Sequence, residues 1–322
     1  MSRYTIFDVS RLRLRPLGER INDLSGNILL PLRTPVAAPA SGLLMAARAM
    51  LKARNEDRHT LFLCGGHVVR SGVQRYILDM MERGLVHGLA VNGAVAIHDY
   101  ELALQNATTE SVARYIREGQ FGLWTETGRI NDIVAKGNEH GLGFGEAMGK
   151  EIAEGDYPFK KHSLFAAAWR LGVPVTVHVG IGYDIIHAHP NCDGAAVGAA
   201  SYRDFLIFAA LLQKLGCVCS FGSAVMAPEV FLKALSMVRN VARGEGREPE
   251  PFTSLVCDIL TLPEDTAKEA AKDDPRYYFR PWKTLLTRTV AGSGQSFYVR
   301  GRHHETVPAL WSALNICEAD HE

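Results

Sequence analysis

A repeated alternation limits the architecture more than any other feature: a short apolar run, a turn containing glycine, then a longer stretch with helical periodicity. TLFLCGG (60–66) leads into SGVQRYILDMMERG (71–84), where Val73, Ile77, Met80 and Met81 recur at helical spacing. GLAVNGA (88–94) precedes HDYELALQNA (98–107), and TESVARYIREG (109–119) reads as a further helix. The pattern returns as SLFAAAWRLG (163–172) before VPVTVHVG (173–180), and as YRDFLIFAALLQKLG (202–216) before CVCSFGSAV (217–225). It appears once more as APEVFLKALSMVRNVA (227–242) before FTSLVCDI (252–259). Gly84, Gly172 and Gly216 stand where helix C-caps are expected. Strand, glycine turn and helix in this order predict a parallel sheet with right-handed crossovers. The expected fold class is therefore α/β: a Rossmann-like, doubly wound, mostly parallel sheet with helices on both faces.

No linker rich in Pro, Ser or Gly divides the chain, and GEGREPEP (244–251) reads as one surface loop, so residues 60–322 are expected to form a single domain. Residues 1–59, with LPLRTPVAAPA (31–41), are less regular and predict an arm that packs on the body or on a partner subunit. At 322 residues and 47% hydrophobic, the chain can bury a large core. Lys plus Arg and Asp plus Glu each total 35, so there is no net field to attract nucleic acid or an anionic membrane. The N-terminus carries charges every few residues and no apolar run of signal-peptide length, which predicts a cytosolic protein. The six cysteines form no C-x-x-C pair and mostly fall inside strand-like runs, as buried free thiols do.

Ligands of doubly wound sheets collect at the carboxyl ends of the strands, where the unusual residues of this chain also fall. CGGHVVRSG (64–72), VNGA (91–94), VGIGYD (179–184) and FGSAV (221–225) each end an apolar run. Small residues there let backbone approach a dinucleotide, and the following helix favours its pyrophosphate. None is a G-x-G-x-x-G, so the signal lies in their number. IGYDIIHAHPNCDG (181–194) holds His187, His189 and Asp193, which a metal-dependent hydrolase could use to activate water. The same histidines could equally bond backbone or substrate, and no tight ligand signature such as H-E-x-x-H accompanies them, so no metal is assigned. His98 and Asp99 could orient each other, with Asp99 better read as a helix cap. REGQFGLWTETGRI, with Trp124 and Glu126, could border a cationic ligand.

In sequential order, these pieces resemble the deoxyhypusine synthase family. CGGHVVRSGVQRYILDMMERGLVHGLAVNGAVAIHDYELAL is similar to its strand, S-S-G-like turn, helix, strand and glycine turn. REGQFGLWTETGRINDIVAKG looks like its G-x-F-x-L-x-G segment, and AWRLGVPVTVHVGIGYDIIHAHP like its strand with a G-D-M-I-x-x-H turn. FYVRGRHHETVPALWSAL fits the closing strand and helix, so the likeness spans roughly residues 60–315. The resemblance implies an NAD-dependent transferase that moves an aminobutyl group from a polyamine such as spermidine to an amine acceptor, through a lysine imine. It also implies a homo-oligomer, a tetramer in the family.

Residue by residue, the family's W-G-K lysine corresponds to Lys283 after Pro281 and Trp282. Desolvation among Tyr277, Tyr278, Phe279 and Trp282 would suit a nucleophilic amine, and the Trp282 face an alkylammonium. Asp184 matches the G-D turn and His189 the histidine after it, with His187 beside it and Asp274 in the expected acidic loop. Cofactor contacts would come from Gly65, Ser71, Gly72, Asn92, Gly93, Gly222 and Ser223. The chain departs from the family after CVCSF, where Gly222-Ser223-Ala224-Val225 replaces a glycine-rich end followed by paired histidines. The acid–base role therefore falls to His187, His189 or His98. A non-catalytic nucleotide-binding module remains an alternative on the same scaffold.

Overall fold

The computed structural model describes residues 3–33 and 38–320; residues 34–37, within the proline-containing stretch of the expected arm, lie outside the described residues. In chain order the elements are β1 (Asn22–Ser25), α1 (Ser41–Asn55), β2 (His59–Cys64), α2 (Gly66–Arg70), α3 (Gln74–Glu82), β3 (Gly88–Asn92) and α4 (Gly93–Gln105). There follow β4 (Ala107–Glu110), α5 (Val112–Glu118), α6 (Thr125–Glu139), α7 (Phe144–Glu154), α8 (Leu164–Leu171), β5 (Val175–His178) and α9 (Gly194–Leu212). The chain closes with β6 (Leu215–Phe221), α10 (Met226–Gly244), β7 (Thr253–Asp258), a π-helical segment (Trp282–Arg288), β8 (Gln295–Arg300) and α11 (His303–Ala319).

Six strands form one sheet in the order β5-β3-β2-β6-β7-β8, and every neighbouring pair is parallel. The first strand of this sheet thus sits at its centre and the chain winds outward in both directions. That is the strand order of dinucleotide-binding folds, with its switch point between β2 and β6. The apolar runs are continuous because both faces are buried. Phe62 and Cys64 of β2 join a core with α1, α3, α4 and α11, while Leu61 and Leu63 face the opposite layer with α9, α10 and Trp282. Cys64, Cys217, Cys219 and Cys257 share the first of these faces, and all six thiols are free.

Several local expectations need revision. Gly172 ends α8 in the left-handed region at φ 67°, and Gly84 follows α3 at φ 64°. Gly216 instead lies inside β6, with no room for a Cβ beside Ala53. Asp99 is buried within α4 and caps another helix, its carboxylate accepting from Leu164 N at 2.8 Å and from the Ser163 hydroxyl. α9 is long and apolar enough to span a membrane by length and composition. Yet its Asp204 is fully buried and accepts from Val177 N (2.7 Å) and Gly145 N (2.9 Å), as befits a helix seated on the sheet.

The first residues pack on this same chain. β1 pairs antiparallel with β4, and Leu17 is buried with Tyr115 and Trp124. Arg15 and Arg20 lie over the Trp124 ring at 5.8 and 5.9 Å, and Glu126 accepts from Leu17 N at 2.6 Å. The cations expected near Trp124 are thus the protein's own arginines. α1 buries Leu43, Ala46, Ala47 and Met50 against the sheet, making it part of the core.

Candidate functional site

At the switch point the turns after β2 and β6 cross with almost no space between them. Gly65 N donates to Phe221 O at 3.0 Å, and a Cβ added to Gly65 would stand 2.6 Å from Ser223 N. Gly222 takes φ 70°, and Ser223 follows at φ 55°, an uncommon conformation for a residue with a side chain. Its hydroxyl is buried without a hydrogen-bond partner. Beside it the His303 ring packs edge-on against Phe221, and its Nε2 lies 3.1 Å from where a Gly222 Cβ would be.

From Gly65 the edge continues toward β3. A Cβ on Gly66 would meet the Ala94 methyl at 3.0 Å and His98 Cδ2 at 3.3 Å. Gly93, the first residue of α4, approaches Asp184 so closely that a Cβ there would be 2.2 Å from Oδ2. Ser223, Gly65, Gly66, His98, Gly93 and Asp184 therefore follow one another along the carboxyl edge of the sheet. Asp184 is partly buried, and no lysine or arginine pairs with it among the described residues. Burial raises its carboxyl to about 6.

Other expected site residues are engaged elsewhere. The Gly72 position belongs to the N-terminal segment: its φ is 73°, a Cβ would fall 1.9 Å from Ile28 O, and its own carbonyl accepts from Leu30 N at 2.8 Å. Ser71 spends its hydroxyl on His67 O at 2.7 Å. Asn92 caps α4, accepting from Val95 N at 3.3 Å. Of the expected cofactor set, Gly65, Gly93, Gly222 and Ser223 lie together at the carboxyl edge, with Gly65 against Ser223 and Gly93 against Asp184.

His189 is 1% exposed, its Nε2 bonded to Gly122 O at 2.7 Å and its ring pressed against Gly128, so it serves as a packing residue rather than an acid–base group. His187 accepts from Gly182 N and Asp184 N, both at 3.2 Å, through Nδ1. Its proton therefore sits on Nε2, which is buried and unpartnered. Asp193 caps α9 by accepting from Ala195 N and Ala196 N. The three groups of the hydrolase reading point to three different tasks, and no cluster of three metal-ligating side chains occurs among the described residues.

Asp274 is likewise occupied: it caps the turn 275–278 and holds Arg276 through both carboxylate oxygens, at 2.9 and 2.6 Å. Arg276 in turn lies 5.7 Å over the Trp282 ring, taking the face expected for a substrate cation, and the Trp282 Nε1 donates to Thr266 O. Lys283 is nearly enclosed, its side chain 9% exposed, with Nζ 3.4 Å from the centre of the Tyr277 ring and 3.9 Å from Glu269. β7 ends at the carboxyl edge and β8 starts at the opposite one, so the first turn of the π-helical segment lies toward the carboxyl edge. The ion pair of Arg280 with Glu229, in the first turn of α10, holds it there.

His98 shows a network that sequence reasoning only half anticipated. Its Nδ1 is 2.8 Å from Thr108 Oγ1, which donates to Glu101 Oε2 at 2.6 Å. Glu101 also accepts from Thr127 at 2.7 Å and, through both oxygens, from Arg20 at 2.8 and 2.7 Å. Burial alone would raise the Glu101 carboxyl, but Arg20 and the two hydroxyls hold it below the ordinary value. The i, i+3 spacing of His98 and Glu101 on α4 was the available signal. Thr108 comes from β4, outside that helical pattern.

No protein-family model matches the chain, and no curated protein matches it. Solved structures do. AgrE in its ternary complex with ornithine and NAD+ is 14% identical at a TM-score of 0.50, over 86% of this chain and 33% of that one. A chain from Methanococcus maripaludis S2 assigned as a LOR/SDH protein is 14% identical at a TM-score of 0.50, over 90% of this chain and 74% of that one. Unliganded AgrE gives 14% and 0.51, over 85% and 32%. This chain spans about a third of the length of the AgrE chains. What the likeness establishes is the fold, a Rossmann-like α/β arrangement also found in a protein solved with NAD+.

Proposed function

We propose that the chain is an NAD-dependent enzyme acting on a cationic amine, of the aminoalkyl-transferring kind that its motif order resembles. The observation that carries this reading is the crossing of Gly65 with Gly222 and Ser223 at the switch point, on the same edge as the unpaired carboxylate of Asp184. The residues fit the cofactor. At the switch point, where a pyrophosphate would lie, the Ser223 hydroxyl is a buried donor with nothing to bond. When bound, NAD would supply a hydride acceptor.

The protein's own groups would do the rest. Asp184, charged at neutral pH, would anchor an ammonium of a polyamine such as spermidine and set its carbon chain along the edge. Lys283, held by Tyr277 and Glu269 in the layer opposite α4 but toward the same carboxyl edge, would capture the oxidised aminoalkyl carbon as an imine and pass it to an acceptor amine. Trp282 and Asp274 position this lysine's segment through Thr266 and Arg276. Titration with NAD, followed by incubation with spermidine, borohydride reduction and intact-mass measurement, tests the reading. An aminoalkyl adduct that maps to Lys283, and that Lys283→Ala loses while still binding NAD, is the expected result. NAD binding without any adduct refutes the transfer; no NAD binding refutes the whole assignment.

A further inference from the structure

We propose that His98 is the proton acceptor of this site, presenting an unprotonated Nε2 at the first glycine turn because Thr108 and Glu101 fix its imidazole as the Nδ1–H tautomer. The inference rests on the NAD-dependent amine chemistry proposed above. Its geometric basis is independent of the cofactor.

The tautomer follows from counting protons. Glu101 accepts four hydrogen bonds from Arg20, Thr108 and Thr127, and its carboxyl is held ionised, so it has no proton to offer. At 2.6 Å the Thr108 hydroxyl must give its only hydrogen to Glu101. Toward His98 that oxygen can only accept, so the hydrogen of the 2.8 Å contact belongs to Nδ1. A neutral imidazole with Nδ1–H has its lone pair on Nε2. That atom has no protein partner among the described residues and lies 3.5 Å from where a Gly66 Cβ would be. Glycine at 66 is what leaves its edge uncovered.

The two histidines of the 181–194 segment do not offer this. His189 is walled in, and His187 carries its proton on Nε2. Thr109, next to Thr108, is held at φ 68°, an outlier for a β-branched residue, and such strain gathers where a neighbouring group must be aimed. The charged and titratable groups facing His98 are Glu101 on its own helix, Arg70 and His67 on α2, and Arg20 from the N-terminal segment. Burial is the main cause, Glu101 opposes it, and Arg70, Arg20 and His67 reinforce it, so that His98 is brought down to about 4 and the imidazole is neutral at physiological pH.

In the step assigned to it, an N–H bond of the substrate ammonium breaks and an Nε2–H bond forms. The electron pair stays on the substrate nitrogen, leaving a neutral amine, and the imidazolium returns the proton when the amine is regenerated. Thr108 and Glu101 are positioning residues that never touch substrate.

Nitrogen-15 NMR of the histidine side chains in the wild-type protein, unliganded and at neutral pH, reads the tautomer directly. The expected result is Nδ1–H for His98, moving toward Nε2–H in Thr108→Val. In steady-state assays with NAD and spermidine, His98→Gln is expected to lower kcat about 10²- to 10⁴-fold with NAD affinity unchanged. The variant's residual rate should rise with pH as free amine becomes available. An Nε2–H tautomer in the wild type overturns the proposal, as does unaltered kcat in a His98→Gln protein that binds NAD. Failure of the wild type to bind NAD overturns the functional reading and this proposal with it.

Discussion

The pair Arg20 and Glu101 makes a strong quantitative demand on the fold. Both side chains are 1% exposed, and the carboxylate accepts four hydrogen bonds at 2.6 to 2.8 Å. Glu101→Gln keeps the shape but removes the charge and turns one acceptor oxygen into a donor facing donors. Arg20 is then left as a buried cation without its counterion. Breaking a buried pair in this way costs about 3–5 kcal/mol, a large part of the roughly 5–15 kcal/mol by which a protein is stable. With a urea slope of about 2–3 kcal/mol/M, the unfolding midpoint should fall by about 1–2.5 M. A double variant, Arg20→Met with Glu101→Leu, should recover part of the loss, because two apolar groups need no pairing.

The sign of the pH dependence adds a second check. The folded-state pKa of Glu101 is depressed, so its contribution is present above the unfolded value of about 4.3 and is lost as pH falls through the folded value. The stability gap between wild type and Glu101→Gln should therefore be full at neutral pH and shrink in acid. A single variant within about 1 kcal/mol of wild type would show that the pair does not carry the load assigned to it.

Asp204 should behave in the opposite sense. Burial raises its carboxyl to about 7, so the folded state keeps a proton that the unfolded chain releases, and stability should fall as pH rises from about 4 to 7. Asp204→Asn keeps an oxygen for Val177 N and Gly145 N and should flatten that slope in urea titrations at several pH values; an unchanged slope would contradict the assignment. At Gly72 the φ of 73° and a Cβ placed 1.9 Å from Ile28 O make Gly72→Ala doubly costly. Thermal unfolding should show a loss of about 1–3 kcal/mol together with protease sensitivity of the N-terminal segment, with NAD binding retained.

How much of this was legible beforehand depends on the range of the contacts involved. The sheet could be read because strands buried on both faces must be apolar throughout, as TLFLC and CVCSF are, and because each is followed by a turn only glycine serves well. Gly216 was misassigned because its lack of a side chain serves the packing of α1 against β6, not a helix end. Gly65 and Gly72, seven positions apart within one glycine-containing stretch, look alike on paper. One lies against Ser223 at the switch point and the other faces Ile28, whose position depends on the whole path of the N-terminal segment.

The same logic divides the polar candidates. Asp274 is consumed by a residue two positions away, so its ion pair with Arg276 was open to local reasoning. His189 and His98 differ in what distant segments bring to them. Gly122 and Gly128 close over one ring, while Thr108, itself held by Glu101, takes up one nitrogen of the other and leaves the second bare. A histidine's chemistry is set by which of its nitrogens a neighbour occupies, and here that neighbour arrives on another element of the fold. The residue type announces that a proton can be moved; only the tertiary fold decides which atom moves it.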